Sequence, residues 1–110
     1  MDHFQRLLGE QLSAVCFVQD YLQLEFDGYK LTTYTTPVVE IVPNEWIAYE
    51  HDQYKNRLCQ FITKRVESLV CEPERIGITF RDCRERIALP LYQGRDNVYY
   101  SDYEERWFVL

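Results

Sequence analysis

Glycine is scarce in this chain. Four occur in 110 residues, at positions 9, 28, 77 and 94, and their scatter excludes a glycine-rich loop that would cradle phosphates. Histidine is rarer still, limited to His3 and His51, and no His-Glu-x-x-His is present. The cysteines, Cys16, Cys59, Cys71 and Cys83, form no Cys-x-x-Cys pair and have no histidine at metal-ligand spacing. They read as reduced, buried or half-buried thiols, so neither a metal nor any other cofactor is expected. No Gly-x-Ser-x-Gly elbow exists, and Ser13, Ser68 and Ser101 have no triad-like company. No run approaches the roughly 18 apolar residues of a membrane span. The first residues lack the basic-then-apolar order of a signal peptide, which makes the cytoplasm the expected location. Basic charge is also short, with 12 Lys and Arg against 18 Asp and Glu and a formal charge of −6. A nucleic-acid binder would present a basic stripe to phosphates, so the sign disfavours nucleic acid as a partner. It suits solubility and fast association with a basic protein.

Apolar and aromatic residues are what the chain has in quantity, at 46% and 15%. That is ample for a core in one domain spanning residues 1–110, burying about two-thirds of the unfolded surface. The most informative stretch is residues 17–38. Asp27-Gly28 is a strong signal for a two-residue turn with positive φ at both positions. Pairing outward from it sets Phe26 beside Tyr29, Leu24 beside Leu31, Leu22 beside Thr33, Asp20 beside Thr35 and Val18 beside Pro37. The other face then carries Glu25 with Lys30, Gln23 with Thr32, Tyr21 with Tyr34 and Gln19 with Thr36. One face is mostly apolar and the other mostly polar, with a charge pair and an aromatic pair across the strands.

Around this hairpin the periodicity predicts two helices. Phe4, Leu7, Leu8 and Leu12 are spaced for a helix over 2–12, weakened by Gly9. Tyr54, Leu58, Phe61, Ile62, Val66, Leu69 and Val70 are spaced for a longer one over 52–70, closed by Pro73. The second strand of the hairpin is expected to continue through Val38 to Val42, with Pro37 at an edge or a bulge. A second hairpin follows, with Ile78 against Ile87 and Ile76 against Leu89, and Pro90 points to an edge position for its second strand. Residues 106–110 read as a short terminal strand. The expected fold is therefore α+β, in the order helix, hairpin, helix, hairpin, strand, with two helices packed on one face of a largely antiparallel sheet. The run from Phe17 to Gly28, followed by a mid-chain helix containing Leu58-Cys59, resembles small uncharacterised bacterial α+β proteins of similar length. That resemblance implies the fold and no reaction.

Candidate functional residues fall into three groups. Strand parity puts Asp20 on the core face, where a carboxylate would act as a base, contact a ligand or simply bond to Thr35. Cys83 stands among Arg81, Arg84 and Arg86, whose guanidinium groups favour a thiolate, although Asp82 and Glu85 oppose them. The same three arginines would line the outer face of the second hairpin. They would either grip an anion bidentately or guard the sheet against edge pairing. Finally, Tyr21, Tyr34, Trp46, Tyr49, Tyr99, Tyr100, Tyr103 and Trp107 exceed what a core needs, and such residues concentrate in interfaces. Together these features point to a non-enzymatic protein-interaction module, either a homodimer or an acidic protein that takes up a basic partner. The competing reading is a small-molecule binder or enzyme with a pocket near Asp20 or Cys83.

Overall fold

The Asp27-Gly28 step adopts positive φ at both residues, 36° and 100°, as a tight hairpin turn requires. From it the expected register follows pair by pair, from Phe26 with Tyr29 to Leu22 with Thr33. The computed structural model describes residues 4–42, 45–94, 97–101 and 107–109. Ten strands and one α-helix are present among them: β1 (Ala14–Val18), β2 (Tyr21–Phe26), β3 (Tyr29–Thr33), β4 (Val38–Val42), β5 (Glu45–Ile47), α1 (Tyr54–Cys59), β6 (Val66–Cys71), β7 (Arg75–Phe80), β8 (Arg86–Pro90), β9 (Val98–Ser101) and β10 (Trp107–Val109). They form two five-stranded antiparallel sheets, ordered β1-β2-β3-β9-β10 and β5-β4-β8-β7-β6. Leu22, Leu24, Phe26 and Leu31 of the first sheet share one core with Val39, Ile76, Ile78 and Ile87 of the second.

This mostly β architecture overturns the expected α+β fold with two helices on one sheet face. The segment predicted as the first helix makes only a 3-10 turn over Phe4–Leu7. Gly9 then takes φ +83°, and Leu8, placed on the predicted apolar stripe, is 45% exposed. The second predicted helix stops at Cys59, and Thr63 enters the left-handed region at φ 82°. Beyond it the chain is extended as β6, where the β-branched Val66 and Val70 suit a strand better than a helix. Pairing distant in sequence decides the matter. Leu12 N–H donates to the Lys64 carbonyl (3.0 Å), and the Leu12 carbonyl accepts from Thr63 N–H (2.8 Å). Val66 N–H likewise reaches the Glu10 carbonyl (3.0 Å), and Gly9 N–H reaches that of Val66 (2.9 Å). This short ladder, centred on Gln11 opposite Arg65, joins the β1 side of one sheet to the β6 side of the other.

Three smaller expectations are corrected as well. The stretch 17–26 is two strands, because Gln19-Asp20 forms a turn and β1 folds back on β2 with Val18 opposite Tyr21. Asp20 consequently lies exposed in a turn and not on a core face. The chain does not run on from β3 into β4 within one sheet; residues 34–37 cross between the sheets, and Pro37 is buried in that crossover. The second hairpin keeps its register, Ile78 with Ile87 and Ile76 with Leu89, but β8 lies at the centre of its sheet. Pro90 is tolerated there because it is the last residue of its strand, where the ladder ends.

Candidate functional site

The crossover from β3 to β4 is pinned by its own threonines. The Thr33 hydroxyl donates to the Thr35 carbonyl (2.8 Å), and the Thr35 hydroxyl donates to the Pro90 carbonyl of β8 (2.7 Å). Tyr34 N–H donates to the Asn97 carbonyl (2.9 Å), which leaves the ring of Tyr34 standing outward. Beside this crossover lie the Gln19-Asp20 turn and the connection that leads into α1. The three segments line a groove of about 560 Å³, within the roughly 300–1,000 Å³ usual for ligand sites.

The floor of the groove is built of Leu22, Thr33, Thr35, Pro37 and Tyr54, all buried. The Tyr54 hydroxyl donates to the Pro37 carbonyl at 2.6 Å, and burial pushes its pKa well above the ordinary phenol value. The walls are aromatic. Tyr21 and Tyr34 pack with ring centroids 5.7 Å apart and planes tilted by 59°, and Tyr99 meets Tyr34 from behind at 5.5 Å and 73°. Tyr49 packs edge-on against Tyr54 at 5.7 Å and 68°. Such contacts hold rings in fixed orientations, although Tyr34 and Tyr49 remain 43% and 59% exposed. Two charges complete the lining. Lys55 Nζ stands 5.5 Å from the centre of the Phe17 ring, and Asp20 projects from its turn. Neither forms an ion pair among the described residues.

The remaining candidates are dispersed. Tyr100 neighbours Tyr99 and therefore faces the opposite way, into the core, where it is 1% exposed and stacks on Tyr29. Trp46 is exposed on β5, an edge of the other sheet, beside a separate depression lined by His51 and Arg57. Trp107 pairs through its backbone with Ser101, and its side chain lies outside the described residues, as does Tyr103 altogether. The three arginines do not converge. Arg86 Nε donates to Glu40 Oε2 (2.7 Å), and this bond raises the pKa of Arg86. Glu72 and Arg75 extend the pair into a small network on that face. Gly77 makes room for it, since a β-carbon there would collide with the Arg86 guanidinium. Arg81 and Arg84 sit exposed in the loop before β8.

The Cys16 thiol donates to Glu25 Oε2 (3.0 Å), which together with burial raises its pKa and holds it protonated. Cys83 is half-buried against the core in the same loop as Arg81 and Arg84, and Glu85 there is taken up by Arg57 (2.9 Å). Among the described residues no group of three His, Cys, Asp or Glu side chains is placed to hold a metal ion. No helix among them is long and apolar enough to cross a membrane. Sequence reasoning missed Phe17 and Lys55 as neighbours of Tyr21 and Tyr34. The available signal was the polar pair Gln19-Asp20 between two apolar runs, which marks a second tight turn. Comparison of the chain with protein-family models, with curated proteins and with solved structures gave no match.

Proposed function

We propose that the protein is a non-enzymatic, cytoplasmic binding module that takes up a basic protein partner in the tyrosine-walled groove. The observation that carries this reading is the convergence of Tyr21, Tyr34 and Tyr49 on one concavity, with their rings braced by neighbouring rings. Exposed aromatic side chains that are already ordered bury large area at little entropic cost, which is what interface hot spots do. The charge of −6 favours encounter with a cationic partner. Shape weighs against self-association here. A twofold dimer sets the same patch against itself, and two concave faces set together would leave the tyrosines uncovered.

A photo-cross-linking residue placed at Gln19 or Thr36, both exposed in the groove lining, with Trp46 as the control site, tests the proposal in cells. The expected result is one dominant basic protein captured at both groove positions, absent from the control and lost on adding Tyr21→Ala. Equal capture at position 46, or none at either groove position, overturns it. A second reading, a small-molecule site, is supported by the volume of the groove and its buried threonine floor. Native mass spectrometry would favour that reading if a low-mass species co-purified with the wild type and left with Tyr34→Ala.

A further inference from the structure

The groove also constrains the conformation of what enters it. Its lining comes from the end of the edge strand β1 (Phe17 and Val18), the turn after it, the first residues of β2, the crossover and the start of α1. Several backbone groups of the crossover are engaged within the protein. Tyr34 N–H is bonded to Asn97, Thr35 N–H to the Thr33 hydroxyl (3.3 Å), and the Pro37 carbonyl to Tyr54. A ligand strand would therefore find few main-chain partners along the crossover, where recognition falls to side chains, and strand addition at the edge strand β1 is the alternative that a proline-free peptide separates.

Those side chains are flat aromatic faces carrying hydroxyl groups at their rims, with Gln19 and Thr36 beside them. A polyproline II segment matches this chemistry. It has about three residues per turn, makes no internal hydrogen bonds, and presents both apolar pyrrolidine faces and unsatisfied carbonyls. Rings accept the first and phenol hydroxyls donate to the second, and the segment is stiff before it binds. Charge narrows the choice further. Asp20 has no ion-pair partner among the described residues, whereas Lys55 brings the opposite sign from another element. A ligand with one basic flank thus has a single favoured direction across the groove.

We infer that the occupant of the groove is a proline-rich segment in the polyproline II conformation, with an arginine or lysine that meets Asp20. The inference rests on the binding-module reading and specifies its partner. It is tested by calorimetric titration of the full chain with three short synthetic peptides: a proline-rich one with a flanking arginine, its analogue with valine and threonine replacing proline, and its analogue with glutamate replacing arginine. Only the first should bind well. Tyr34→Ala and Tyr49→Ala should each weaken it about tenfold or more, the scale of a hot-spot ring. Asp20→Asn should weaken the arginine peptide and narrow its advantage over the glutamate peptide. Circular dichroism of each variant separates lost binding from lost fold. If the proline-free peptide binds equally, or no peptide binds while groove cross-linking still captures a protein, the proline inference falls and the module reading stands. If neither peptides nor a protein are captured, both fall.

Discussion

Tyr54 works at two places at once, bracing Tyr49 with its ring edge and holding the crossover through its hydroxyl. Its raised pKa has a definite sign in stability. Between the ordinary value of 10.0 and the higher folded value, the unfolded chain has lost a proton that the folded chain keeps. The contribution is whole below that ordinary value and is lost as pH rises through the folded one. Urea titrations at a series of alkaline pH values should show stability falling above about pH 10, the ordinary phenol range. Tyr54→Phe should flatten that fall, while lowering stability at neutral pH by about 1–3 kcal/mol because the Pro37 carbonyl is left unsatisfied. At Gly77 the issue is space. Gly77→Ala drives its methyl into the Arg86 guanidinium and disturbs the bond to Glu40, for an expected loss of about 1 kcal/mol. In an Arg86→Ala background the same change should cost nothing, a coupling that a double-mutant cycle reads directly.

At the level of elements, turns written into adjacent residues were legible and long-range pairings were not. The register of β2 with β3 follows from Asp27-Gly28 because both residues there take positive φ, a property of the residues themselves. Gly28→Ala should accordingly cost about 1–2 kcal/mol, the penalty of a β-carbon at positive φ, with chemical denaturation as the measure. The alternation of Ile76, Ile78, Ile87 and Leu89 likewise fixed the pairing of β7 with β8 without a glycine turn. By contrast, Tyr54, Leu58 and Phe61 satisfy helical spacing and do lie buried around α1, yet the same spacing continues through Val66 and Leu69 into a strand. Local period could not separate the two, since residues 9–12 and β7 supply the partners that make β6 extended. The candidate site divides in the same way. The Tyr21 and Tyr34 neighbours were visible in the hairpin register, whereas Tyr99 arrives only because β9 pairs with β3. Tyr49 and Lys55 arrive with the connection into α1.

For the molecule as a whole, the groove lies where the two sheets are linked by the crossover, and the ladder between residues 9–12 and 63–66 ties them together elsewhere. Arg65 strengthens that tie by donating to the Gly9 carbonyl across 56 positions of chain (2.9 Å). Closing so long a loop costs entropy before any contact repays it, so hairpins made by near neighbours are expected to form ahead of it. A clasp of this kind acts on the lifetime of the native state more than on the speed of reaching it. Gly9→Ala strains the clasp at φ +83°; in stopped-flow chevrons it should steepen the escape from the folded state and leave the refolding limb nearly untouched. That outcome would tie the protein's endurance, as distinct from its equilibrium stability, to the four amides that join residues 9–12 to residues 63–66.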